Sequence, residues 1–174
     1  MRAALDWLTA RPIAHRGLHD AANGVIENTA AAVRAAIDAG YGIEVDLQVS
    51  VDGEAMVHHD DVLGRLTEGE GRLDQLTAAE LKRIAFRGVD ARMLTLGELC
   101  DLVDGRTALL LELKSRFDGD NRLGARVAAV AGRYRGPVFT KNSRTNVRLR
   151  FLFKHARGVR DAPAGAGSRR SGSG

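Results

Sequence analysis

A single cysteine, Cys100, stands in the 174 residues. That scarcity excludes an internal disulfide and fits a reducing compartment, the cytoplasm. Cys100 lies among Leu96, Leu99 and Val103, the surroundings of a core thiol rather than of a nucleophile. Long apolar runs are absent too. The longest, "TALLLEL" (Thr107 to Leu113), falls far short of a bilayer's width, so no transmembrane segment is expected. The opening "MRAALDWLTARP" interrupts its apolar part with charge and offers no cleavage-type site, so no signal peptide is expected either. With 44% hydrophobic residues, what remains is a soluble globular chain one domain in size.

Acidic residues are nearly missing from one end. Residues 138–174 hold 9 Lys and Arg against one acid, Asp161, leaving 17 basic and 21 acidic residues to the first 137. The body is mildly acidic, and the alkaline character belongs to the tail. From Thr140 onward the text shows no cap and no sustained period, and it ends in Gly, Ser, Ala and Arg. The chain therefore divides into a body, 1–139, and a basic tail, 140–174, read as disordered or out of frame. Phe151 and Phe153 interleave with Arg148, Arg150 and Lys154, a pattern that nucleic-acid binders share. Such segments are common and mostly non-specific, so nucleic acid is the weaker reading. A composition that shifts in the middle of a strand favours a truncated or frameshifted end.

The body alternates strands with helices. "PIAH" (Pro12 to His15) predicts a short first strand. A helix follows from Asn28 or Thr29, either of which can cap it, and stops at Gly40. Gly42 to Ser50 alternates strictly and predicts a strand with two unlike faces. Val51 to Gly53 turn the chain into a third strand, Glu54 to His58. Thr77 with Glu80, and Thr95 with Glu98, are spaced as capping boxes. Thr107 to Leu113 reads as a parallel strand covered on both faces. Leu123, Val127 and Val130 mark a helix, and "GPVF" (Gly136 to Phe139) begins a fifth strand. The pattern is mostly parallel α/β, in the form of a β/α barrel.

Chemistry-bearing residues fall at strand ends. Glu44 and Asp46 share one face about 6.5–7 Å apart. Two carboxylates that close need solvent, a proton or a cation between them. Glu112 and Lys114 share a face at the end of an otherwise apolar strand, either as a structural ion pair or as part of a site. His15 ends the first strand and His59 the third, placed to serve as general acid and base, each such role worth about 10²–10⁴ in rate. His58 points to the opposite face from His59. Arg16 beside His15 suits a phosphate. Hard divalent cations take carboxylate oxygens, and the set together points to phosphate-ester chemistry.

In order along the chain stand "AHRG" (Ala14 to Gly17), "ENT" (Glu27 to Thr29), Glu44-x-Asp46, "DG" (Asp52, Gly53), "HDDVL" with Arg65 and Thr67, "TLGEL" (Thr95 to Leu99) and "LELK" (Leu111 to Lys114). This ordered set closely resembles the glycerophosphodiester phosphodiesterase family over roughly residues 12–139. Ile26 and Leu94 replace prolines common in its loops. The resemblance implies a (β/α)8 barrel of the TIM type that hydrolyses glycerophosphodiesters, in lipid metabolism, to glycerol 3-phosphate and an alcohol. It implies a divalent cation, Mg²⁺ or Ca²⁺, on Glu44, Asp46 and Glu112. His15 and His59 would be the acid–base pair, without saying which is which, and Arg16 and Lys114 would hold the phosphate. Glu27 and Asn28 would sit in a loop beside the site. Such barrels need eight strands and about 250 residues, and about five strands are legible. The expectation is an incomplete, C-terminally truncated or frameshifted barrel whose exposed sheet edges favour self-association. The alternatives are an inactive remnant, a chain acting through its basic tail, and a related barrel phosphodiesterase for other lipid headgroups.

Overall fold

The computed structural model describes residues 11–115, 119–142 and 150–151, the last two by their backbone alone. Its elements run β1 (Ile13–Ala14), α1 (Ala30–Asp38), β2 (Gly42–Val49), β3 (Ala55–Val57), α2 (Ala78–Leu81), α3 (Leu96–Val103), β4 (Leu109–Leu113), α4 (Arg122–Ala131), β5 (Val138–Asn142) and β6 (Arg150–Phe151). Three helices start where a threonine satisfies amide groups left over at a helix N-terminus. Thr29 caps α1, and complete capping boxes at Thr77–Glu80 and Thr95–Glu98 open α2 and α3. α1 runs out before Gly40, whose φ of 70° lies in the left-handed region.

β1, β2, β4 and β5 lie side by side and parallel, and β6 closes the described sheet antiparallel to β5. Helices α1, α3 and α4 occupy the connections between those parallel strands, so the unit is an α/β part-barrel. β3 departs from the sequence reading. It pairs antiparallel with the end of β2 as a hairpin and is not a member of the parallel set. The reason is the turn: Val51 to Gly53, with Gly53 at φ 81°, is too short for the crossover that a parallel pairing requires.

The two sheet faces differ in chemistry. Ile43, Val45 and Leu47 of β2, Leu109 and Leu111 of β4, and Val138 of β5 form one buried cluster with Val33, Leu96, Leu99, Val103, Leu123 and Val127 of the helices. Register then fixes the opposite face. Asp46, Glu112 and Lys141 are direct neighbours across β2, β4 and β5, and Glu44 lies beside Leu110. β4 is therefore covered by helices on one face, while Leu110 and Glu112 on the other are only half-buried, unlike the two-sided burial expected of it. A second cluster, with Met56, Leu63, Leu73, Leu81, Phe86 and Met93, holds together the long segment between β3 and α3.

Cys100 is half-buried against the main cluster, and burial, with help from Asp101, pushes its thiol up to about 11, which suits a packing role. β5 runs to Asn142, three residues past the boundary drawn at Phe139. Apart from those residues and β6, the basic tail lies outside the described residues. Among the described residues no helix is long and apolar enough to cross a membrane.

Candidate active site

The site begins at a sharp turn after β1. Arg16 and Gly17 both adopt left-handed backbone, at φ 56° and 77°. Such strain on a non-glycine residue needs support from its surroundings. Here the Arg16 amide donates to Glu44 Oε2 at 3.0 Å, the Gly17 amide donates to the Glu44 carbonyl at 3.2 Å, and the Asn28 amide donates to the Arg16 carbonyl at 2.9 Å. Asn28, itself left-handed at φ 57°, donates from Nδ2 to Asp46 Oδ2 at 3.1 Å and accepts from the Asp46 amide at 3.3 Å.

Gly17 tolerates no side chain. A Cβ there would lie 2.8 Å from both the carbonyl carbon and the Cβ of Ala32, in addition to the positive φ. Gly17→Ala is expected to cost more than about 1 kcal/mol of stability, read as a lower midpoint in urea unfolding. An unchanged midpoint would mean that the turn is not built this way.

Three carboxylates converge beyond that turn. Oxygens of Glu44, Asp46 and Glu112 lie within 4.8 Å of one another, and the first two residues are almost fully buried. Three cationic side chains, Arg16, Lys114 and Lys141, surround them, with His15 at the margin. Arg16 Nη1 donates to Glu27 Oε1 at 3.0 Å, and its Nε stands 3.1 Å from Asp46 Oδ2. Lys114 Nζ donates to Glu112 Oε1 at 2.7 Å and lies 2.9 Å from Asp46 Oδ1. Lys141 Nζ reaches Glu112 Oε2 at 2.5 Å and Glu44 Oε1 at 3.2 Å. His15, largely exposed, places Nε2 3.9 Å from Glu44 Oε2.

The contacts of Arg16 Nε, Asp46 Oδ1 and Glu44 Oε1 are charge pairs without hydrogen-bond geometry, since all three atoms are buried with no hydrogen-bond partner. Burial works to raise the Glu112 carboxyl, yet Lys114 and Lys141 override it and hold the group down at about 2. Both lysines are raised in turn, burial being outweighed by the carboxylates. Two buried carboxylate oxygens without a hydrogen-bond partner, Glu44 Oε1 and Asp46 Oδ1, clustered with Glu112, are a donor set that fits a hard divalent cation.

His59 stands apart from this cluster. Its carbonyl accepts from Gln48 Nε2 at 2.8 Å, and its Nδ1 meets Asp60 Oδ1 at 2.7 Å. Asp60 Oδ2 accepts from Arg65 Nε at 2.5 Å, and Arg65 Nη2 donates to Glu27 Oε1 at 2.7 Å. The same Glu27 oxygen holds Arg16, so a continuous chain of contacts joins His59 to the carboxylates. Burial works against the charge of Glu27, but Arg65 and Arg16 bring its carboxyl below the usual value. His58 is buried on the other side, edge-on to Phe86 at 6.1 Å, and desolvation lowers its pKa.

A sequence model described as the "Glycerophosphoryl diester phosphodiesterase family" matches residues 15–130. The chain belongs to this family. A glycerophosphodiester phosphodiesterase of Caldanaerobacter subterraneus is 39% identical over 113 residues, covering 59% of this chain and 44% of that protein. Human glycerophosphodiester phosphodiesterase 1 is 42% identical over 74 residues, 41% of this chain and 21% of the human one. Among solved structures, an Oleispira antarctica phosphodiesterase in complex with the product sn-glycerol-3-phosphate superimposes with a TM-score of 0.68 at 27% identity, covering 78% of this chain and 59% of that one. The chain thus spans less than two thirds of the length of these relatives.

Membership places the motifs in context. Every candidate site residue lies in or beside one region: Glu44, Asp46, Glu112, Arg16, Lys114, Glu27 and Asn28 in one connected set of contacts, His15 at the margin and His59 at the end of the Arg65 chain. Three contributors were not singled out. Lys141 lies two residues beyond Phe139, in register with Glu112, and only knowledge of β5's length would have found it. Asp60 was legible as the neighbour of His59. Gln48 continues the alternation of Glu44 and Asp46 on β2. The "DG" motif belongs to the hairpin instead, where Asp52 accepts from Ser50 Oγ at 2.5 Å and from the Ala78 amide at 3.0 Å.

Proposed function

We propose that this chain hydrolyses glycerophosphodiesters to glycerol 3-phosphate and an alcohol, with a divalent cation, Mg²⁺ or Ca²⁺, held by Glu44, Asp46 and Glu112. The observation that carries the reading is the convergence of those three carboxylates, within 4.8 Å, on the face of the adjacent parallel strands β2 and β4 opposite the helix-packed cluster. Family membership and the product-bound neighbour supply the substrate class. When bound, the cation would polarise a phosphoryl oxygen and offset its charge.

The chain's own residues do the rest. Arg16 and Lys114 hold the phosphate, Arg16 from a backbone locked by Glu44 and Asn28. One of His15 and His59 takes the proton from the glycerol hydroxyl of the substrate as that oxygen attacks phosphorus. The other gives a proton to the alkoxide as the bond from phosphorus to the headgroup breaks, which leaves a cyclic phosphate. Water then opens the ring with the two roles reversed. Glu27 and Asn28 keep Arg16 and Asp46 in place. In this reading the substrate is a small molecule released in phospholipid turnover, and the lone, unreactive Cys100 suits the cytoplasm.

The test is release of glycerol 3-phosphate from sn-glycero-3-phosphocholine by the 174-residue chain, with and without a chelator. Cation-dependent release, abolished by chelation and restored by Mg²⁺ or Ca²⁺, is expected. Release that persists in excess chelator would overturn the metal assignment, and no release under any cation would overturn the activity.

A further inference from the structure

The segment from His59 to Thr67 holds one half-buried end and one locked end. Thr67 is fully buried and its Oγ1 accepts from the Gly64 amide at 3.3 Å. The Leu63 amide donates to the Gly71 carbonyl at 2.8 Å, and Arg87 Nε donates to the Gly64 carbonyl at 3.1 Å. This loop therefore delivers Arg65 to a fixed place, between Asp60 and Glu27. Asp60 consequently has both oxygens committed, one to Arg65 and one to His59 Nδ1.

An imidazole bonded at Nδ1 to an ionised carboxylate carries its proton on that nitrogen, and the other ring nitrogen is left as the acceptor. Resting on the acid–base role given to His59 above, we propose that Asp60 is a positioning residue. It fixes His59 in the Nδ1–H tautomer with Nε2 free toward substrate, and Arg65 keeps its carboxylate aligned and ionised by tying it to Glu27 and Arg16. The same chain sets His59 against the phosphate-holding arginine, so the acid–base group and the anion clamp share one frame. Burial alone would raise the Asp60 carboxyl, but Arg65 and His59 pull it below the usual value.

Asp60→Asn separates positioning from a merely structural ion pair. Next to the Arg65 guanidinium, an asparagine turns its amide oxygen to the cation and its NH₂ to His59 Nδ1. The ring is then driven into the Nε2–H tautomer, which cannot accept a proton on the substrate side. The measurement is the ¹⁵N spectrum of histidine-labelled full-length chain at about pH 8, above the ordinary histidine range, with His59 assigned from His59→Ala. The expected result is Nδ1–H in the parent chain and Nε2–H in Asp60→Asn, with kcat down about 10- to 100-fold, the size of effect seen when metal-ligating imidazoles lose an orienting partner, and KM within about threefold.

Nε2–H in the parent chain, or the same tautomer in both chains, would overturn the proposal. The parent measurement does not depend on Asp60→Asn, so it decides the matter even if that variant fails to fold. His59→Ala in the same assay keeps the two readings apart. Full turnover in that variant sinks the catalytic role of His59, whereas an unmoved tautomer sinks only the role of Asp60.

Discussion

Replacing His15 with alanine is expected to lower glycerol 3-phosphate release by about 10²–10⁴-fold, the usual worth of a positioned acid or base, and to leave the fold intact. The side chain is 65% exposed, and its recorded contact is the 3.9 Å approach to Glu44. A surface change of that kind is usually worth no more than about 0.5 kcal/mol of stability, so lost turnover would have to come from lost chemistry. Parallel measurement of kcat and of the unfolding midpoint separates the two. Turnover within about threefold of the parent would remove His15 from the reaction.

The largest effect on stability is expected from Leu111→Ala, at about 2–5 kcal/mol. Leu111 is fully buried on β4, flanked by Val45 of β2 and Thr140 of β5, and its side chain lies in the cluster shared with α1, α3 and α4. Truncation there leaves a cavity with packed helices on one side and sheet on the other. Leu110 makes the control. One residue earlier, on the opposite face and only half-buried, it should cost clearly less when cut to alanine. Equal costs in urea unfolding would mean that the inner face of the sheet is as tightly filled as the outer one.

Much of this was legible in the sequence because it is local. Strict alternation placed Glu44 and Asp46 on one face of β2, and the threonine–glutamate spacings opened α2 and α3 where they do open. What escaped the sequence depended on pairing. The hairpin direction of β3 follows from turn length rather than from its own residues. Lys141 enters the site because β5 continues in register with β4 through Asn142, across a point where composition changes abruptly. The bond between Asp60 and His59 could be suspected from adjacency, but the Arg65–Glu27 clamp behind it joins residues 38 positions apart. The half-open inner face of β4 was hidden as well, since a run of leucines reads the same whether one face or both are covered.

The measurement that bears most directly on the account is a calorimetric titration of the 174-residue chain with Mg²⁺ and with Ca²⁺, repeated on Asp46→Asn and Glu112→Gln. One saturable site in the parent chain, lost or greatly weakened in both variants while their folds survive, is the result expected of a cation held by Glu44, Asp46 and Glu112. Saturable binding that both variants retain, or none for either ion in the parent chain, would contradict it and leave the three carboxylates as structural partners of Arg16, Lys114 and Lys141.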